Sequence, residues 1–293
     1  MKNSGGEYTT DYVKLYNEYC KMRNLSENTR ISYNGVLRKL AAVNDLSVIT
    51  IGEVYEFINS GSLMPRTKQR YITTLRSFFQ WMVDMGYRKD IPIGKISVKL
   101  GDSIPKYLTE DEVKEINRYL RYKKNKRDYY MINILLSTGL RNEELRNLLW
   151  KHVDIDEGRL FVERGKGDKD RFVYFGADVR NMFLNLKKNS KYTNGGDHVF
   201  TNLKGGELSR SYMNWLTNDI TSSTRIKVTP HMLRHTYATQ SVAAGMPINV
   251  LQKQMGHVSP NTTYIYANTL DETQRKHAVS GYASIGSRAP SGE

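Results

Sequence analysis

Between Asp90 and Pro105 the residues Pro92, Gly94, Gly101 and Pro105 fall within sixteen positions, and neither a long helix nor a central strand survives such a stretch. The chain therefore divides there, and each side has to bury a core of its own. With 293 residues, at roughly 100 to 200 per domain, two domains are expected. We place the first over residues 1–94, a linker over 95–107, the second domain over 108–283, and a mobile Ser/Gly/Pro-rich tail over 284–293.

Residues 8–100 read as helical throughout, with apolar residues three and four apart. Val13, Tyr16, Tyr19 and Cys20 make one face, and Tyr33, Val36, Leu37 and Leu40 another. Ser26 is a start signal for the second helix. A short helix is expected over 51–59, and after Pro65 a long one that turns Tyr71, Leu75, Phe78, Phe79 and Met82 inward. In the second domain Thr109 with Glu112 three positions on forms a capping box. Helices are expected over 110–123, 127–138, 177–188, 209–221, 230–244, 247–254 and 259–267. From Val153 to Phe175 the period changes to two: Leu160, Val162, Phe172 and Tyr174 alternate with polar neighbours around Gly165-Lys166-Gly167-Asp168, a hairpin signal.

The 44 Lys and Arg against 30 Asp and Glu leave a net charge of +14. The excess is spread over the chain, +6 in residues 1–100 and +8 in the remainder. A basic surface on both domains suits a polyanion, because Lys and Arg release condensed counterions when they neutralise phosphates, although general solubility explains charge too. The single cysteine, Cys20, excludes an internal disulfide and a Cys-rich zinc module. No apolar run reaches the roughly 18 residues of a membrane span, and MKNSGGEYTT has no signal-peptide core. A cytoplasmic protein with no membrane partner is expected.

His231 and His235 stand four apart in HMLRH, but a helical zinc site of the metalloprotease kind needs Glu where Met232 stands, and Arg234 repels a cation. GKGDKD lacks the glycine spacing and the Ser/Thr of a phosphate loop. Neither a metal nor a nucleotide cofactor is expected. Arg234, three positions after His231, and Arg141, after Thr138-Gly139-Leu140, suit the oxygens of a phosphodiester. Lys166 is placed at the hairpin tip, His257 follows Gly256, and Tyr266 stands nine positions later. Each has an ordinary explanation taken singly: arginines pair with carboxylates, histidines serve as structural groups, and Tyr266 is one of 20 tyrosines.

The ordered set is more specific. TGLRNEEL at 138–145, GKGDKDR at 165–171, HMLRHTYAT at 231–239 and MGHVSPNTTYIYAN at 255–268 resemble, in order and spacing, the catalytic domain of the tyrosine recombinases, the family of phage integrases and Xer-type resolvases. SENTRISY and the segment from Pro65 to Pro92 resemble the family's helical, SAM-like core-binding domain. The resemblance implies a mainly α fold with a small antiparallel β-sheet in the catalytic domain, and a two-domain, C-shaped DNA clamp. It makes Arg141 and Arg234 the phosphate-clamping arginines, His231 and His257 the two histidines, Lys166 the hairpin lysine, Tyr266 the nucleophile and Glu144 a supporting acid. Where the family often has Ser, Glu143 puts a negative charge near the first arginine. Tyr264 is a decoy nucleophile and Lys169 a second hairpin lysine, set aside because the family spacing selects Tyr266 and Lys166.

The implied activity is site-specific DNA recombination through a 3′-phosphotyrosyl intermediate, independent of metal and ATP, in chromosome-dimer resolution or in integration and excision of a mobile element. The implied partners are a double-stranded recombination site, a homodimer on each site and a tetramer in synapsis. Residues 270–282 have the length of a carboxy-terminal helix that docks on a neighbouring subunit. An accessory protein or a partner recombinase would leave no mark in the chain. With no room for an arm-binding domain, the chain leans toward a simple Xer-like system. Three other readings use the same residues: a type IB topoisomerase, a non-catalytic architectural DNA-binding protein, and a nuclease with His231 as base and Lys166 as acid.

Overall fold

The computed structural model describes residues 11–100, 105–163 and 170–256, and the chain parts into two compact units, Met1–Asp102 and Ser103–Glu293. In the first, helices α1 (Tyr12–Met22), α2 (Glu27–Ala41), α3 (Ile51–Asn59) and α4 (Pro65–Asp84) follow one another. Their starts are set locally. Asp11 accepts from the amide of Lys14, Ser26 from that of Thr29, and Thr50 exchanges both bonds of a capping box with Glu53. Helix α4 begins on Pro65, whose missing N–H costs nothing in a first turn. Tyr16, Leu37, Leu40, Ile72, Leu75, Phe78, Phe79 and Met82 form the buried core.

Helix does not continue to residue 100. It stops at Asp84, where the amides of Tyr87 and Arg88 turn back to the carbonyl of Met82 around Gly86 at φ +75°. The Arg88 guanidinium then donates to the carbonyls of Leu46 and Ile49, and Arg76 donates to those of Gly94 and Ile96. With the amide of Val98 donating to Gln69 Oε1 at 3.2 Å, residues 94–98 are held against α4 by side chains that satisfy their backbone.

The second unit contains α5 (Glu110–Tyr122), α6 (Lys126–Thr138), the short α7 (Asn142–Arg146), α8 (Ala177–Asn189), α9 (Arg210–Thr224), α10 (Pro230–Ala243) and α11 (Ile248–Met255). A three-stranded antiparallel sheet runs in the order β1 (Val153–Asp154), β2 (Arg159–Val162), β3 (Arg171–Tyr174). The chain is mostly helical with one small sheet, as expected; α7 and β1, five and two residues long, are too short to leave a periodic signal. Helix α6 lies at the centre. Met131, Ile132, Ile134 and Leu135 are fully buried among Ile116, Leu160, Phe183, Leu216 and Leu233. The Thr109–Glu112 capping box opens α5, and the amide of Leu108 donates to Thr236 on α10 at 2.8 Å.

The alternation of the hairpin is reversed on its second strand. Leu160 pairs with Val173 in register, and it is Val173 that is buried, while Phe172 and Tyr174 are 46% and 58% exposed. Cross-strand pairing with a strand already committed to the core decides which face points inward.

Helix α6 ends in a left-handed residue, Gly139 at φ +64°, and a Cβ there would clash with the ring of Tyr237. Backbone strain and overpacking act together, so Gly139→Ala is expected to destabilise the second unit by about 3 kcal/mol. The urea midpoint, with the slope unchanged, measures it.

Candidate active site

Gly139 reverses the chain so that Arg141 directly precedes α7. Glu144, one turn along, accepts from the backbone amide of Arg141 at 2.8 Å and from its guanidinium Nη1 at 2.6 Å. The other arm of that guanidinium, Nη2, donates at 2.8 Å to the carbonyl of Gly256, just beyond α11. Arg234, on α10, is 7% exposed. It donates through Nη1 to the carbonyl of Gly139 and through Nη2, at 2.6 Å, to that of Met255. Two guanidiniums, one from the residue before α7 and one from α10, are therefore anchored on consecutive carbonyls at the carboxy-terminal end of α11. The last carbonyls of a helix lack intrahelical partners and carry the negative end of its dipole, so cations are the natural group to satisfy them.

His231 is exposed on the first turn of α10, next to Pro230 and behind the Thr229 cap. His235, a turn further, is partly buried, and burial, with His231 and Arg234 nearby, lowers its pKa and favours the neutral ring. Among the described residues no group of three His, Cys, Asp or Glu is placed to hold a metal ion. Glu143 is exposed, and its carboxylate lies 3.6 Å from Arg210 at the start of α9.

Lys166, Lys169, His257, Tyr264 and Tyr266 lie outside the described residues. Arg141, Glu144, His231 and Arg234 lie within them, and of these the structure joins Arg141 to Glu144 directly and Arg141 to Arg234 through Met255 and Gly256.

The residue that sequence reasoning did not single out is Arg171, the first residue of β3. Its guanidinium grips Glu144 with two parallel bonds, Nη1 to Oε1 at 2.9 Å and Nη2 to Oε2 at 2.7 Å, and its Nε donates to the carbonyl of Gln254 at 3.0 Å. Arg171 and Glu144 side chains are each 9% exposed. The Gln254 side chain in turn bridges the amide and carbonyl of Tyr174 at 3.1 and 2.7 Å, which ties α11 to the strand. Gly256, at φ +65°, leaves the space the Arg171 side chain occupies; a Cβ there would lie 2.9 Å from its Cδ and Nε. Burial alone would raise the pKa of Glu144, but the bonds and charge of Arg171, with the amide and charge of Arg141, override it and hold it down at about 2.

Residues 106–273 match the description of the phage integrase family. The chain belongs to that family. It is a tyrosine recombinase of Xer-like kind, an enzyme of site-specific DNA recombination. A tyrosine recombinase of Thermosipho africanus is 31% identical over 89% of this chain and 95% of its own length. Tyrosine recombinase XerC of Oceanobacillus iheyensis is 29% identical over 94% and 90% respectively. Among solved structures, the Tn1549 transposon integrase in complex with a circular-intermediate DNA has a TM-score of 0.70 at 22% identity, covering 91% of this chain and 99% of that one. XerH site-specific recombinase bound to its difH substrate has a TM-score of 0.67 at 22% identity, over 91% and 84%. Both share the fold. Among the described residues no helix is long and apolar enough to cross a membrane.

Proposed function

We propose that this recombinase cuts and rejoins duplex DNA through a 3′-phosphotyrosyl bond, with Arg141, Lys166, His231, Arg234, His257 and Tyr266 as its catalytic residues and Glu144 in support. The observation that carries the reading is the arginine pair: Nη2 of Arg234 and of Arg141 are seated on the successive carbonyls of Met255 and Gly256 at 2.6 and 2.8 Å. Those bonds hold both cations in place before any ligand arrives, so little reorganisation is left for the moment of reaction.

In the reaction, Oη of Tyr266 attacks the scissile phosphorus and the bond from phosphorus to the 5′-oxygen breaks. Lys166 supplies the proton that turns the departing alkoxide into a 5′-hydroxyl. A phenol of ordinary pKa near 10 is a weak nucleophile at neutral pH, so His231 serves as general base within the field of the arginines. Arg141, Arg234 and His257 stabilise the charge on the non-bridging oxygens. The phosphodiester energy is stored in the covalent bond, so rejoining needs neither ATP nor water. A 5′-hydroxyl from a partner duplex reverses the step and exchanges strands. We assign a pair of protomers to each DNA site and a tetramer to synapsis, by analogy with the family. The biological role is chromosome-dimer resolution or the integration and excision of a mobile element.

Trapping on a nicked suicide duplex from the native locus, in EDTA, tests the reading. A protein–DNA band that survives denaturation is expected. Free cleaved ends without such a band would indicate a nuclease, and tight binding with no cleavage an architectural protein. Adducts that relax supercoils without any recombinant product would indicate a topoisomerase.

A further inference from the structure

We propose that Arg171 is a positioning residue for catalysis: through its two-pronged grip on Glu144 it orients the Arg141 guanidinium and keeps that guanidinium's charge available to phosphate. This rests on the recombinase reading above, which gives Arg171 no role.

The geometry supplies the orientation. Each Glu144 oxygen is shared: Oε1 accepts from Nη1 of both arginines, at 2.6 Å from Arg141 and 2.9 Å from Arg171. Oε2 accepts the Arg141 amide at 2.8 Å and Nη2 of Arg171 at 2.7 Å. A parallel Arg–carboxylate fork fixes the plane of the carboxylate as a single bond does not. That plane then sets the direction of Arg141 Nη1. Arg171 is itself fixed at its third donor by the Gln254 carbonyl at 3.0 Å, on the helix end that seats both arginines.

The charge follows from counting. Glu144 with Arg141 alone is a neutral pair, and a neutral pair attracts an incoming phosphate weakly. Adding Arg171 leaves the trio at +1, with the surplus on the member that is 25% exposed, Arg141, while Arg171 and Glu144 are each 9% exposed. Among the described residues, the charged groups facing Glu144 are Arg141 from its own turn and Arg171 from β3. Nε, Nη1 and Nη2 of Arg171 are all engaged within the protein, by the Gln254 carbonyl and the two Glu144 oxygens, so its loss should slow the chemical step and spare DNA affinity.

The test uses full-length wild type, Arg171→Gln, Arg171→Lys and the double variant Glu144→Gln/Arg171→Gln. Single-turnover adduct formation on suicide DNA, DNA affinity and acid unfolding without DNA are measured for each. At saturating DNA, Arg171→Gln is expected to form adduct about 10 to 100-fold more slowly, with affinity within about threefold because no phosphate contact is lost. Arg171→Lys, which keeps the charge without the fork, should fall between it and wild type. The double variant removes the negative charge that Arg171 balances, and should recover about fivefold or more over Arg171→Gln.

The sign of the acid effect is fixed by the depressed carboxylate. A group held at about 2 in the fold, against about 4.3 unfolded, contributes stability fully present above the unfolded value and lost as pH falls from there toward 2. In Arg171→Gln that contribution shrinks and disappears at higher pH. A wild-type adduct rate in Arg171→Gln would overturn the proposal. So would a double variant no faster than the single one, or acid profiles that coincide in wild type and Arg171→Gln. If wild type itself forms no adduct on any DNA, the recombinase chemistry fails, and the acid profiles still decide whether Arg171 holds Glu144.

Discussion

In Tyr266→Phe the covalent protein–DNA band is lost, because the phenyl ring offers phosphorus no oxygen. Removing a nucleophile outright costs a rate factor on the order of 10⁴ or more, which places the variant below detection on a denaturing gel. DNA affinity should stay within about threefold of wild type, since affinity for the backbone comes from Lys and Arg contacts that a hydroxyl does not supply. Tyr264→Phe is the matched control, two positions earlier in YIYAN, and should retain the band. The reverse result, adduct in Tyr266→Phe and none in Tyr264→Phe, would move the nucleophile to Tyr264 and break the nine-residue spacing from His257 on which the assignment stands.

Arg234→Lys should lose on two counts that can be measured apart. Arg234 donates to the carbonyls of Gly139 and Met255 from a position 7% exposed. A lysine ammonium is a single point donor and cannot reach both reversals as a planar fork does. One buried carbonyl left without its partner costs about 1 to 3 kcal/mol, read as a lower urea midpoint. Catalysis should fall further, by on the order of 10² to 10³, as for loss of one preorganised donor at a developing anion. Adduct rates have to be taken at saturating DNA and at a temperature where the variant is fully folded, so that instability does not pass for lost chemistry. A folded Arg234→Lys protein that cleaves at the wild-type rate would remove Arg234 from the phosphate clamp.

Much of the fold was open to a reader of the sequence because it is encoded over three or four positions. The caps at Ser26 and Thr109 bond to amides three residues ahead, and the apolar spacing that follows each of them is the face that becomes the core. The division near residue 102 is local in the same way, since Pro and Gly act on their own φ angles and on their neighbours. The overextended helix before residue 100 went astray at Gly86, where side chains from α4 and the Arg88 contacts to Leu46 and Ile49, 42 and 39 positions away, take over the backbone. The second hairpin strand went astray for a related reason: Phe172 and Tyr174 look like the buried set, and only pairing with β2 turns Val173 inward.

The candidate site divides along the same line. Motif order names Arg141, Glu144, His231 and Arg234 as one set, because the chain carries each in a compact block, and of these the structure joins Arg141, Glu144 and Arg234. How those three are held was not legible there. Arg141 meets Gly256 across 115 positions, Arg234 meets Gly139 across 95, and Arg171 meets Gln254 across 83. Near neighbours in the sequence fix most of the long helices and supply the residue types suited to a phosphodiester, since short-range hydrogen bonds and periodic burial act over a few positions. The tertiary structure alone decided that the carboxy-terminal end of α11 seats both arginines and that Arg171 shares Glu144 with Arg141. A buried carbonyl or carboxylate takes whichever donor the packed chain brings within about 3 Å, and sequence distance puts no limit on that choice.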